Sequence, residues 1–399
     1  MNIIRKIKYE ILLYKWRRKG HRKKTVRMKV ANVLSVFEQF NRENIRYVVL
    51  RWFDDVPITV AQEATYDKDI DMLIDVADIE KIALIACQNP GAIKCDLYGI
   101  TGAYGTAYKG MPYYPPVLAE CILNDRVMHE KGFFVPAPKT HFYSLGFHLV
   151  YHKGLESGIP TGCDIATEPN PKRPFRQLME NFGEELGVAI EKPYTLLALH
   201  NYLKEQNWYM PPDLLERWPK QTAWHKFLLQ YERGQMEQWV QKLSHVIVFF
   251  VREDAMAPEY VADIKRLLEE TFEIIKVEDL NEKQVASVSR NVRGGNWIEH
   301  GKSTFIGPAM AVICYDHNPQ PFDDPEKARK YPLVKNKNVF RKHEIRKHLN
   351  ADKTLPRKLH AMHGSDNGYE SQHMLRAIYG DELEKVNQEI YAKISSDSR

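Results

Sequence analysis

Val246-Ile247-Val248-Phe249-Phe250-Val251, running directly into Arg252-Glu253-Asp254, is the stretch on which the reading of this chain turns. Six consecutive apolar residues, β-branched or aromatic, predict a strand and mark a reset of the pattern at His245. Working outward, residues 260–272 have helical periodicity and 273–277 read as a second strand. Residues 281–291 form a helix that begins with Asn281 as its cap. The breaker pair Gly307-Pro308 precedes a third strand at 309–314. Residues 359–362 read as a short fourth strand and 370–378 as a closing helix.

Strand–helix–strand followed by strand–helix–strand is the ferredoxin-like arrangement, so residues 245–399 are expected to form an α+β domain. Upstream, 29–41 show helical periodicity and 45–50 form a short apolar run. Residues 69–75 alternate charged with apolar side chains, and 95–98 supply a third strand. This order reads as a small α/β domain over residues 25–160. Residues 142–152 and 194–205 look helical, 157–175 are a Pro-, Gly- and Thr-rich loop, and 214–243 are mostly amphipathic helix. Together, 161–244 are expected to be a loop and helical connector.

A chain of 399 residues is too long for one core. Its formal charge of +5 is modest. No recognition helix, RNA-binding signature or zinc finger accompanies the basic segments, so nucleic acid is not an expected partner. The scattered cysteines Cys87, Cys95, Cys121, Cys163 and Cys314 read as reduced thiols of a cytoplasmic protein. No run approaches the roughly 20 apolar residues of a membrane span. Residues 1–24 nevertheless place Ile3, Ile4, Ile7, Ile11 and Tyr14 at helical spacing. Trp16 follows, with Arg17, Arg18, Lys19, Arg22, Lys23 and Lys24 behind it. Such a helix suits the inner, anionic face of a membrane, or packs its stripe on the protein's own body.

Several landmarks between Val246 and Gly380 occur in a recognisable order: Val251-Arg252-Glu253-Asp254, Gly307-Pro308 before the third strand, Ile345-Arg346, and His363-Gly364-Ser365-Asp366 followed by Glu370-Ser371. In this order the segment resembles the nucleoside diphosphate kinase family. The resemblance implies that His363 accepts a phosphoryl group from an NTP, ATP or GTP, and that Arg252, Arg346 and His360 lie at the nucleotide. Lys335, Lys337 and Arg341 share the basic segment with Arg346, and Arg341 is a further nucleotide-binding candidate beside the reading of a solvated basic face. A neutral imidazole is a competent nucleophile near neutral pH, and guanidinium groups suit phosphate oxygens. Gly364 is expected to provide a tight turn. The family's lysine is Arg252 here, its asparagine is His360, and its buttressing glutamate falls near Leu375. These departures favour a specialised acceptor over a nucleoside diphosphate.

In the first half, Tyr47-Val48-Val49-Leu50-Arg51-Trp52, Asp54 and Lys68-Asp69-Ile70-Asp71-Met72-Leu73-Ile74-Asp75 resemble the nucleotidyltransferase superfamily of bacterial surface-polysaccharide clusters. Asp69 and Asp71 project to one face of a strand. With Asp96 as third carboxylate they are expected to hold Mg²⁺; otherwise they occupy a polar sheet edge. The family's opening glycine turn is missing at Leu50-Arg51-Trp52. Arg51 reads equally as an anion ligand or a structural ion pair, and His148 and His152 as a packed pair. The combined expectation is an NTP-dependent phosphotransferase acting on a sugar or glycan precursor. The alternatives are an ordinary nucleoside diphosphate kinase fused to a binding module, and a nucleotide-binding scaffold.

Overall fold

The computed structural model describes residues 3–21, 25–234, 236–297, 304–351 and 357–397. The basic residues Arg22, Lys23 and Lys24 lie outside the described residues. The chain is mixed α/β and divides into two compact units. One holds Met1–Met210 and Trp218–Lys226, the other Pro211–Arg217, Phe227–His300 and Thr304–Arg399. The residues expected to form a connector are thus shared between the units. The stretch 214–243, expected to be mostly helix, holds three short ones, Pro212–Glu216, Ala223–Gly234 and Glu237–Lys242. Among the described residues, no helix is long and apolar enough to cross a membrane.

In the first unit, β1 (Val26–Val30), β2 (Tyr47–Val49), β3 (Asp69–Ile74) and β4 (Ile93–Gly99) form a sheet in the order β1-β4-β3-β2. The β3–β4 pair is parallel and the outer pairs are antiparallel. β1 was not expected, because helical periodicity was read from Lys29 onward. Its own alternation is plain in the structure: Val26, Met28 and Val30 are buried, while Arg27 and Lys29 face away from the core. A small hairpin, β5 (Arg126–Met128) with β6 (Phe134–Pro136), completes the strands of this unit.

This unit also contains buried imidazoles. The helix Pro138–Phe147 runs into a π-helical turn, His148–Lys153, that brings His148 Nδ1 to 3.4 Å from His152 Nδ1 and 2.7 Å from the Tyr113 hydroxyl. Burial pushes His148 and His152 well below the usual imidazole range and His141 down to about 4. In each case the unfolded chain binds a proton that the folded chain does not. Stability therefore rises with pH through this window and is lost as pH falls from about 6.5 toward 4. Thermal unfolding followed by circular dichroism is expected to show a falling midpoint over that range. His141→Phe, which keeps the ring contacts with Phe53 and Phe182, should flatten the slope. An unchanged slope in this variant would remove His141 from the account.

In the second unit, β7 (Val246–Arg252), β8 (Glu273–Asp279), β9 (Pro308–Tyr315) and β10 (Met362–Gly364) pair in the order β10-β7-β9-β8, all antiparallel. This is the split strand–helix–strand order expected from the sequence. The crossover helices Pro258–Glu269 and Arg341–Leu349 cover one face, against Ile247, Phe249 and Val251. The inserted helix Glu282–Asn291 and the late helix Gly368–Tyr379 cover the other, against Val246, Val248 and Phe250. β7 is therefore buried on both faces, the physical reason for its continuous apolar run. Asn281 caps its helix in a reciprocal capping box with Gln284. The last strand lies later than expected, at Met362–Gly364, so His363 sits within it, opposite Phe250.

Candidate functional site

β10 holds His363 through its flanks. Ser365 donates its N–H to Val248 O, its hydroxyl accepts the Val248 N–H, and Ser371 Oγ binds both Ser365 Oγ and Val246 O. The small polar residues of the histidine motif thus fasten β10 to β7 and to the helix Gly368–Tyr379. Gly364 serves space rather than the expected turn: a Cβ there would lie 2.4 Å from the Phe249 ring. Asn367 caps the helix by accepting from the Glu370 N–H.

That cap aims Glu370 at the histidine. His363 Nε2 is 3.8 Å from Glu370 Oε1 and has no hydrogen-bond partner of its own, although the side chain keeps 15 % of its surface exposed. Leu375, where the family's buttress was sought, is fully buried in the core. A carboxylate does face the imidazole, one turn into the same helix. Arg217 Nη2 lies 3.3 Å from both Glu370 Oε1 and Asp366 Oδ2, and the Asp366 N–H donates to Glu370 Oε2 at 2.8 Å. Lys342 Nζ donates to Gly364 O and Asp366 Oδ1, at 2.8 and 2.6 Å. Burial works against ionisation of Glu370, yet His363 and Arg217 outweigh it and hold the carboxyl well below its usual range. Burial pushes His363 down to about 3, with the charge of Arg293 opposing protonation and Glu370 favouring it. The pair is a neutral imidazole beside a carboxylate.

Three further arginines lie on the immediate neighbours of His363, and among the described residues none forms an ion pair. Arg252, the expected nucleotide ligand, is buried and donates Nε to Ile306 O and Nη2 to Trp297 O, each at 2.8 Å. Arg346 Nε donates to Met362 O at 2.7 Å. Arg293 contacts the Trp297 ring, its Cζ 5.3 Å from the centroid, and Arg252 reaches the same ring at 5.6 Å. Trp297 in turn meets His363 edge-on at 5.9 Å. Burial pushes Arg293 down to about 9, with repulsion from Arg252 and Arg346 added, and Arg252 down to about 10. Burial is the leading cause in each case, and nearby carboxylates, Asp254 and Glu253 for Arg252 and Asp213 for Arg293, offset it only in part.

Arg293 is held by the backbone. It lies at φ 57, followed by Gly294 at φ 59 and Gly295 at φ 76. The Gly294 N–H donates to both carboxylate oxygens of buried Asp213 at 3.2 Å. A left-handed arginine costs on the order of 1 kcal/mol, and such strain collects at functional sites. Arg293, Asp213, Arg217 and the role of Glu370 were all missed in the sequence.

Arg341, another expected ligand, is engaged elsewhere. Arg341 donates Nε to Leu267 O at 3.0 Å and pairs with Glu270 and Glu344 rather than reaching toward His363. With Lys337, Phe322, Tyr331 and His343 it lines a separate cleft of about 630 Å³. The backbone N–H groups of His360 and Ala361 donate to Asp254 at 2.7 and 3.1 Å, which fixes the turn into β10.

In the first unit the three aspartates do share one face. Asp71 and Asp96 are directly opposite across β3–β4, and Arg27 is opposite Asp96 across β1–β4. Arg27 Nε lies 2.5 Å from Asp96 Oδ1, and its Nη2 is 2.9 Å from Asp96 Oδ2 and 2.8 Å from Asp69 Oδ2. Arg51 Nη2 lies 2.9 Å from Asp71 Oδ2 and 2.9 Å from the Tyr113 hydroxyl. Each carboxylate of the expected metal set is thus taken by a guanidinium. Among the described residues no group of three or more acidic, His or Cys side chains is placed to hold a metal ion. The donor set as arranged does not fit Mg²⁺, and Arg51 is the structural ion pair of its two readings. The clue to Arg27 was the period-two alternation of Val26–Val30.

No family model, curated protein or solved structure matches the chain.

Proposed function

We propose that the second unit is a nucleoside diphosphate kinase-like phosphotransferase that takes the γ-phosphoryl of an NTP onto His363. The observation that carries this reading is a neutral imidazole whose neighbour Trp297 is flanked by Arg252 and Arg293, with Arg346 on the carbonyl of the adjacent Met362 and no ion pair on the three among the described residues. Enclosing guanidinium groups with only partial counter-charge is costly, and a bound polyanion would supply the rest. Facing Glu370, Nε2 carries the ring proton, which leaves the Nδ1 lone pair as nucleophile. Nδ1 attacks the γ-phosphorus, the bond to the β-bridging oxygen breaks, and the NDP leaves with that electron pair. The imidazolium formed is stabilised by Glu370, while the arginines meet the equatorial oxygens. In the second step the phosphoryl passes to an acceptor hydroxyl, whose proton is released.

The acceptor we propose is a sugar or glycan precursor, with the nucleotidyltransferase-like first unit as its binding module. Pairing of Asp69 and Asp96 with Arg27, and of Asp71 with Arg51, supports binding there over metal-dependent nucleotidyl transfer. A second reading, transfer back to a nucleoside diphosphate, uses the same histidine and arginines and is separated from the first by the fate of the label.

Incubation with γ-labelled ATP or GTP tests the first step. Acid-labile, base-stable label is expected on the wild type and none on His363→Ala. Label that persists in the variant, or fails to form on the wild type with either nucleotide, would overturn the proposal. Rapid chase of the label onto NDP would favour the second reading.

A further inference from the structure

The N-terminal helix (Ile3–His21) has two apolar faces, and the body of the first unit uses one. Leu13 and Trp16 are buried in its core, with Tyr9 and Leu12 packed partly against it. Ile7, Ile11 and Tyr14 are 54, 47 and 64 % exposed. Positions 7, 11, 14 and 18 follow the i, i+4, i+7, i+11 spacing of a single helical stripe, on the side opposite Tyr9 and Trp16. Arg18 continues the stripe, Lys8 and Lys15 border it on one side and Lys6 on the other, and all four are exposed. Glu10 is the sole acidic residue of the helix.

We propose that this face seats the helix on an anionic bilayer surface. Ile7, Ile11 and Tyr14 enter the headgroup boundary, and Lys6, Lys8, Lys15 and Arg18 meet the lipid phosphates. Apolar insertion and cationic attraction reinforce each other in such a contact, and each is weak alone. The charge pattern selects the occupant. A second copy docking through the same face would bring two like rows of cations together, and a two-fold contact repeats every repulsion. An anionic surface answers the row instead. The helix is too short in apolar length to cross, so the contact is peripheral. This inference does not depend on the phosphotransferase reading.

Vesicle flotation of the full chain tests it, using phosphatidylcholine alone and phosphatidylcholine mixed with phosphatidylglycerol. The protein is expected to float with the anionic vesicles and to be released by high salt. Ile7→Gln with Ile11→Gln, at exposed helical positions, should leave circular dichroism and thermal midpoint unchanged and lower partitioning at least about tenfold. Lys8→Glu with Lys15→Glu should do the same. Absence of partitioning onto anionic vesicles, or equal partitioning of either variant, would overturn the proposal. So would a wild-type dimer in solution that the isoleucine pair abolishes, since the face would then belong to a second copy.

Discussion

Arg293→Ala is expected to slow phosphorylation of His363 by about 10²–10³-fold while leaving thermal stability unchanged or raised. The two halves of this result come from the same observation. A guanidinium pushed down to about 9 by burial and by neighbouring arginines contributes unfavourable charge to the folded chain. Its φ of 57 adds strain that alanine shares, so the substitution relieves the charge and keeps the turn. The loss falls instead on the bound phosphoryl group, which no longer has that donor as its charge develops. Rate of label incorporation at saturating ATP and the unfolding midpoint are the paired measurements. Arg293→Lys should recover part of the rate, because it restores charge without the fork of donors. A variant that loses several degrees of stability and no rate would show Arg293 to be a structural residue. His363→Ala separates the two levels of the argument. It removes label but keeps the arginines, so pyrophosphate should still raise its unfolding midpoint and should do so less in His363→Ala with Arg293→Ala.

How far the sequence reveals this site follows from where its parts lie. β7, β9 and the helices that cover them repeat their apolar residues at strand or helix spacing, and burial of those residues is what sets the order β10-β7-β9-β8. His363 lies inside a four-residue motif whose serine and aspartate have structural partners, so it too is visible. Arg293 has no such signal. It sits in Arg293-Gly294-Gly295, where the glycines indicate a turn but not its direction, and Asp213, which fixes the turn, is distant in sequence. Glu370 was obscured for a different reason. The position expected for a buttress, Leu375, faces the core, and the carboxylate reaches the imidazole from the first turn of the helix because Asn367 sets the start of that helix. β1 was lost to a competing period. Its alternation spans five residues and runs straight into the strongly amphipathic helix Val33–Arg42, so the longer pattern prevailed. With β1 went Arg27, and with Arg27 the evidence that each aspartate of the cluster is paired with a guanidinium.

That pairing carries a stability consequence. Arg51→Ala is expected to destabilise the protein by about 3–5 kcal/mol near neutral pH, by leaving Asp71 enclosed without its partner. Arg51 is itself buried, with Nη2 on Asp71 and Tyr113 and Nη1 lacking any hydrogen bond, so little water can replace it. Burial raises the Asp71 carboxyl even with Arg51 beside it, and the charge of Arg51 is what opposes that rise. Without the arginine the folded-state value climbs further above that of the unfolded chain. The folded variant then holds a proton that the unfolded one has lost, and stability falls as pH rises through that interval. The deficit relative to wild type should therefore be larger at pH 8 than at pH 5, which urea unfolding at the two pH values measures. Asp71→Asn in the same chain removes the charge that Arg51 was answering, so Arg51→Met with Asp71→Asn should recover most of the loss. Failure of that pair to recover would mean that Arg51 stabilises through Tyr113 and the surrounding rings rather than through Asp71. The same arithmetic bears on metal. If the three aspartates were free to hold Mg²⁺, the wild-type midpoint would climb with the logarithm of its concentration. With Arg27 and Arg51 already in contact with all three, it should stay flat, and a steady climb would restore the metal site.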